Sequence, residues 1–173
     1  TLSTAQGFIE VKNQGNEEIS LSLMLSRTPS ANESVKPIAN GVEIDVQYAD
    51  LKGNAITIDK LQQGEEFLAK IRVKKTNDSS PSMALTYAIP SGWEIWNERL
   101  TGGEESQGAT YTDIRDTSIS WYFAIEQGQT KEFAVRLRAA YGGQFVLPPT
   151  ICEDMYNPSC RANTTNGLTI VVR

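Results

Sequence analysis

Alternation of apolar and polar residues is the feature that most constrains how this chain can fold. In the run from Ile19 to Leu25, every odd position is isoleucine or leucine, with Ser20, Ser22 and Met24 between them. Side chains of a β-strand point alternately to its two faces, so a period of two indicates a strand with one buried face. Further alternating runs begin at Val42, Phe67, Met83, Ile119, Phe133 and Leu168. No stretch of comparable length has a helical period, so the sequence predicts an all-β chain.

Turn-forming residues separate these runs. Examples are Asn13-Gln14-Gly15-Asn16, Gln63-Gly64 and Gly142-Gly143. Strands interrupted by turn signals at intervals of about ten residues are typical of β-sandwiches, in which each strand crosses one layer and then reverses. The predicted fold is therefore an antiparallel β-sandwich, and residues 1–173 are predicted to form a single domain.

Composition excludes several classes of function. The formal net charge is -5, and the acidic residues are scattered, whereas nucleic-acid binding needs clustered Lys and Arg. The chain has no histidine, which removes the commonest general base near neutral pH and the commonest zinc ligand. No apolar run reaches the roughly 20 residues that span a bilayer. We therefore expect no nucleic-acid partner, no metal, no cofactor, no catalytic site and no membrane insertion by this segment.

The two cysteines, Cys152 and Cys160, are close in sequence within a segment rich in Asn, Pro and Ser. In the absence of histidine or a second cysteine pair, a zinc site is disfavoured and a disulfide that closes a small loop is the natural prediction. A disulfide would place the chain outside the cytoplasm. The alternative is a pair of reduced thiols in a cytosolic protein.

Asp113 and Asp116 flank Arg115 and form the clearest acidic cluster. Paired carboxylates can hydrolyse a glycosidic bond when they face each other across a substrate, and carboxylate oxygens can also bind calcium. The simpler interpretation is a structural turn cluster, in which Arg115 pairs with its acidic neighbours before the next strand. We prefer this third interpretation.

Three tryptophans suggest another possible function, because flat aromatic faces pack on sugar rings. Trp93 and Trp96 are three positions apart, however, so in an extended chain they point to opposite faces and cannot form one continuous platform. Core packing and the filling of interfaces are the favoured roles for these two residues and for Trp121. An extracytoplasmic carbohydrate-binding or adhesin module remains the alternative function.

An ordered series of short motifs occupies the second half of the chain. The motifs are Pro90-Ser91-Gly92-Trp93-Glu94 within the segment from Ala88 to Leu100, Asp113-Ile114-Arg115-Asp116, Phe133-Ala134-Val135-Arg136-Leu137, Gly143-Gln144-Phe145-Val146-Leu147-Pro148-Pro149 and Glu153-Asp154-Met155-Tyr156-Asn157-Pro158. In this order the series resembles the C-terminal macroglobulin-like domain of bacterial α2-macroglobulins. The resemblance extends over almost the whole chain and implies a β-sandwich of macroglobulin-like, fibronectin-III-like type.

The resemblance implies a function that belongs to a larger protein. Family members are broad-spectrum endopeptidase inhibitors: a protease cleaves a bait region, the molecule rearranges, and in many members a thioester captures the protease. The thioester forms within a Cys-x-x-Gln motif, which is absent here because Met155 and Asn163 follow Cys152 and Cys160 at the third position. The chain would thus be a non-catalytic domain that contacts the thioester domain and neighbouring macroglobulin domains of the same polypeptide, and target proteases through the parent.

The family's Met-Tyr element corresponds to Met155 and Tyr156. Because a thioester survives only where water is excluded, the resemblance implies that these residues shield it and contact its domain. A Cys152–Cys160 disulfide would stiffen their loop. The alternative is that Met155 is an ordinary loop residue. The expected location is the periplasm or the cell surface, and a lipid anchor on the parent is compatible with both.

Overall fold

In a computed structural model, residues 11–24, 26, 33–96 and 108–172 are described. The chain divides into two compact units, residues 1–33 and residues 34–173. The described part of the second unit contains thirteen β-strands. They are β1 (Ile38–Asn40), β2 (Val42–Asp50), β3 (Lys60–Gln62), β4 (Glu66–Lys75), β5 (Ser82–Ala88), β6 (Trp93–Ile95), β7 (Tyr111–Arg115), β8 (Ser118–Ala124), β9 (Thr130–Ala139), β10 (Gly143–Leu147), β11 (Ile151–Asp154), β12 (Arg161–Asn163) and β13 (Gly167–Val172).

The strands form three sheets. A six-stranded sheet has the order β1-β12-β11-β5-β8-β7, a four-stranded sheet has the order β2-β4-β9-β6, and a three-stranded sheet has the order β10-β13-β3. The strand pairs are antiparallel, except that β13 and β3 run parallel. None of the described residues forms a helix that could cross a membrane. The prediction of an all-β antiparallel sandwich is confirmed.

The hydrophobic core draws its side chains from both larger sheets. On β4 the alternate residues Phe67, Ala69, Ile71 and Val73 are fully buried, as the period of two predicts. From the six-stranded sheet, Trp121 of β8 packs on Phe133 of β9 with ring centroids 5.3 Å apart. Burial of one such large side chain contributes about 1.5–3 kcal/mol, so these inward rows account for the association of the sheets.

The clearest alternating run in the sequence is not a strand. Its described part, Ile19 to Met24, has no strand structure, and Ile19, Leu21 and Leu23 are 57%, 69% and 76% exposed; Leu25 lies outside the described residues. The prediction of a half-buried strand here is wrong for this structure. Alternation shows which face of a segment can be buried, but a strand also needs a hydrogen-bonding neighbour.

The last strand also differs from the sequence prediction. The alternating run placed Leu168 and Ile170 on the buried face of β13, but both are exposed, and Thr169 and Val171 are buried instead. Thr169 donates a hydrogen bond from Oγ1 to the carbonyl oxygen of Ile58 at 2.6 Å. This bond satisfies the hydroxyl, so burying the threonine carries little polar cost, and the strand keeps that register.

Candidate functional site

The segment that joins β11 to β12, residues 155–160, presents two large side chains to solvent. We call it the β11–β12 loop. It begins where β11, an inner strand of the six-stranded sheet, ends. Met155 is 51% exposed and Tyr156 is 76% exposed. The Met-Tyr element singled out from the sequence therefore lies at the surface, where another protein segment can reach it.

Hydrogen bonds define the backbone of this loop. Met155 N donates to Ser82 O of β5 at 2.9 Å. Asp154 Oδ1 accepts hydrogen bonds from Tyr156 N at 2.9 Å and from Asn157 N at 3.0 Å. Asn157 O then accepts from Cys160 N at 2.9 Å. Because both halves of the loop are bonded in this way, Met155 and Tyr156 project from a defined turn.

A buried ion pair lies beneath the loop. The side chains of Lys75 and Asp154 are both 0% exposed, and Lys75 Nζ is 3.7 Å from Asp154 Oδ2. Burial by itself raises the pKa of Asp154, but hydrogen bonds from Tyr156 N, Ser79 Oγ and Asn157 N and the charge of Lys75 outweigh it. The pKa of Asp154 is therefore below its usual value, and Asp154 is charged at neutral pH.

Sequence reasoning missed Lys75, although the alternation contains a signal. Lys75 continues the buried row of Phe67, Ala69, Ile71 and Val73 by one further step of two residues. A lysine at a position whose neighbours in the row are all buried must find a charged or polar partner. That partner, Asp154, is 79 positions later in the chain, so only the fold identifies it.

The predicted Cys152–Cys160 disulfide is not formed in this structure, and both cysteines are buried free thiols. Cys152 lies opposite Ala162, and Asp154 N donates to Cys160 O, so Cys160 lies diagonally across from Cys152, one residue before β12 begins. Diagonal positions are separated by about 7–8 Å, beyond the usual Cα separation of about 4.4–6.8 Å in disulfides. Burial, assisted by the nearby Cys160, raises the pKa of Cys152 to about 12.

The acidic cluster has the geometry of an exposed strand end. Arg115 Nε donates to Asp113 Oδ2 at 2.8 Å, and both residues lie on β7. This hydrogen bond raises the pKa of Arg115. Asp116 is exposed in the turn between β7 and β8. The arrangement agrees with a structural turn cluster, and no group of three or more potential metal ligands of the Cys, Asp and Glu types occurs among the described residues.

The tryptophans do not form one platform in the structure. Trp93 and Trp121 are buried in the core, and Trp93 packs on Phe67 with centroids 4.9 Å apart. Trp96 is partly exposed, and the guanidinium group of Arg136 lies 4.8 Å from its ring centroid. The core-packing prediction is therefore confirmed for Trp93 and Trp121 and is wrong for Trp96, which lies at the surface against Arg136. One exposed tryptophan does not form a sugar-binding platform, so the carbohydrate-binding alternative gains no support from these residues.

Comparisons with known proteins agree with this fold. The sequence model of the family "Bacterial Alpha-2-macroglobulin MG10 domain" matches residues 41–159. The alpha-2-macroglobulin of Pasteurella multocida is 26% identical over 144 residues, which are 82% of this chain and 7% of that protein. For the alpha-2-macroglobulin of Escherichia coli the identity is 24% over 182 residues, covering 95% of this chain and 11% of that protein. The chain thus spans only a small part of the relatives it matches.

Solved structures show the same fold. A native alpha-2-macroglobulin fragment from Escherichia coli, from domain MG7 to the C-terminus, superposes with a TM-score of 0.71 at 23% identity, over 78% of this chain and 24% of that one. Salmonella alpha-2-macroglobulin reacted with methylamine gives a TM-score of 0.73 at 24% identity, over 82% and 10% of the two chains. Since the family match also covers more than half of the sequence, this chain belongs to the family of bacterial alpha-2-macroglobulin MG10 domains.

Proposed function

We propose that this chain is a non-catalytic domain of a bacterial alpha-2-macroglobulin and that its β11–β12 loop packs over the thioester of the parent protein and shields it from water. The parent would be a broad-spectrum endopeptidase inhibitor that traps proteases after bait cleavage. The observation that carries the proposal is the exposure of Met155 and Tyr156 on a hydrogen-bonded loop.

The chemistry of the two side chains suits a shield. A thioester hydrolyses when water reaches it, so its cover must be apolar and well packed. A methionine thioether is flexible and fills irregular gaps, and a tyrosine ring combines an apolar face with a polar hydroxyl. Because hydrogen bonds already hold the loop in its turn, docking costs little additional conformational entropy.

The comparisons are consistent with this assignment. The chain spans a small part of its relatives, so its proposed partners are other domains of the same polypeptide: the thioester domain and the neighbouring macroglobulin domains. The Salmonella relative was solved after reaction with methylamine, a small nucleophile of the kind that opens thioesters. Target proteases would meet this domain only through the parent, in the periplasm or at the cell surface.

The test is the spontaneous decay of the thioester in the full-length parent without protease. Met155→Ala removes most of a side chain whose burial is worth about 1.5–3 kcal/mol, so we expect a roughly tenfold faster decay. Methylamine incorporation and free-thiol release measure this decay. The matched control is Leu168→Ala, which truncates an exposed apolar residue on the three-stranded sheet. Equal decay of the Met155→Ala variant and wild type, or a parent without a thioester, would overturn the proposal.

A further inference from the structure

We propose that Lys75 is a positioning residue: through Asp154 it fixes the turn that presents Met155 and Tyr156. Lys75 is the last residue of β4 in the four-stranded sheet, and Asp154 is the last residue of β11 in the six-stranded sheet. Their ion pair therefore connects the two layers of the sandwich directly beneath the loop. The biological role of this connection depends on the proposed shielding function, but the positioning itself does not.

Polar groups surround the Lys75 ammonium group on several sides. It donates to Ser79 Oγ at 2.8 Å and to Ser80 O at 2.9 Å, and it is 3.7 Å from Asp154 Oδ2. The sulfur atoms of Met83 and Cys160 lie 3.4 and 3.6 Å away. A buried charge is stable only when it is paired and hydrogen-bonded, and Asp154 is the carboxylate that pairs with this ammonium group.

The two carboxylate oxygen atoms of Asp154 have different partners, one in the core and one in the loop. Oδ2 accepts from Ser79 Oγ at 2.9 Å and faces Lys75, whereas Oδ1 accepts from the backbone N–H groups of Tyr156 and Asn157. The carboxylate is thus paired with the Lys75 charge on its core side, and it accepts the backbone hydrogen bonds of the loop on its other side. Without the lysine, Oδ2 keeps its hydrogen bond from Ser79 Oγ but loses the positive charge that faces it. A buried carboxylate without its charged partner is held less firmly, which weakens the bonds that define the loop.

Residue size and hydrophobicity do not explain a lysine at this position. The other inward residues of β4 are Phe67, Ala69, Ile71 and Val73, and an apolar residue at position 75 would continue that row. An apolar replacement for a buried ion pair is often neutral or favourable for stability. We therefore explain this lysine by its effect on Asp154: it holds in place the carboxylate that immediately precedes the β11–β12 loop.

The test compares loop order in the chain of residues 1–173 and its variants. Lys75→Met removes the charge and keeps the length of the side chain. The matched control is Lys74→Met, which alters the neighbouring exposed lysine. Amide hydrogen exchange at Tyr156 and Asn157 and the initial rate of chymotrypsin cleavage after Tyr156 report loop order. We expect at least tenfold faster exchange at these two amides in Lys75→Met, and no change in Lys74→Met.

Two further variants keep the test informative if Lys75→Met does not fold. Ser79→Ala removes the hydrogen bonds of Ser79 Oγ with Asp154 and with Lys75 but leaves the ion pair, so it should give a smaller increase, of about threefold to fivefold, at the same amides. The double variant Lys75→Met/Asp154→Asn removes both charges and keeps an acceptor oxygen for the loop, so it should restore much of the protection. Unchanged exchange in a folded Lys75→Met, or a uniform increase along β2, β4 and β9, would overturn the inference.

The outcome is separable from the proposed function. The exchange measurement needs no thioester, because it uses this chain alone. If Lys75→Met loosens the loop but Met155→Ala leaves thioester decay in the parent unchanged, the positioning role stands and the shielding role fails. If exchange is unaffected while Met155→Ala accelerates decay, the shielding role stands and the inference about Lys75 fails.

Discussion

The thiol of Cys152 should be almost inert toward alkylation in the folded chain. Its pKa is raised to about 12 by burial, with a smaller contribution from Cys160. Compared with an ordinary cysteine of pKa about 8.5, the thiolate fraction near pH 7 is lower by roughly a thousandfold or more. Since the thiolate is the reacting species, iodoacetamide labelling should slow by at least that factor, and exclusion of the reagent slows it further.

The assay is mass spectrometry of the intact chain after timed labelling, with and without urea. We expect neither cysteine to be labelled in native buffer within an hour and both to be labelled in urea. The control is Lys52→Cys, which places a thiol in the exposed turn after β2 and should react within minutes. Rapid native labelling of Cys152, or failure of urea to expose two thiols unless a reductant is added, would refute the reasoning about register and burial.

Three other predictions concern the core and can be checked by urea unfolding. Burial raises the pKa of Tyr87 well above its usual value, so at high pH the folded chain keeps a proton that the unfolded chain releases. The contribution of Tyr87 to the free energy of unfolding is complete below about pH 10 and is lost as pH rises further. Phe133→Ala should cost about 3–5 kcal/mol, because this ring is buried between Trp121 and Phe123, and a loss below 1 kcal/mol would contradict the packing. Gly92→Ala should cost about 1–3 kcal/mol, because the added Cβ would lie 2.1 Å from the Phe145 ring; unchanged stability would show that the ring moves freely.

Alternation predicts the sandwich well on the inner strands of the two larger sheets. On β4 and β5 alternate residues are buried, and hydrogen bonds to a strand on each side set the register. The pattern fails at Ile19 to Met24, which has no strand structure, and on β13, which has a neighbour on each side but buries Thr169 and Val171 rather than Leu168 and Ile170. Periodicity identifies two possible faces, but the partner strand decides which face is buried.

The candidate site could be predicted only in part. The Met-Tyr element was identified by resemblance, and the fold places it on an exposed loop. The contribution of the loop to thioester shielding stays a prediction, as does the assignment of residues 1–173 to one domain. The disulfide prediction followed from sequence spacing, which does not determine whether two cysteines face each other directly or diagonally. The pairing of Lys75 with Asp154 depends on contact between two sheets, which no local pattern encodes.

The most direct test of the shielding proposal is the rate of Met155 oxidation by hydrogen peroxide in three states: this chain alone, the unreacted parent, and the parent after bait cleavage. Met83, which is fully buried, is the internal reference for slow oxidation. The account predicts fast oxidation of Met155 in the isolated chain, at least tenfold protection in the unreacted parent, and loss of that protection after cleavage. Equal oxidation rates in the isolated chain and the unreacted parent would contradict it.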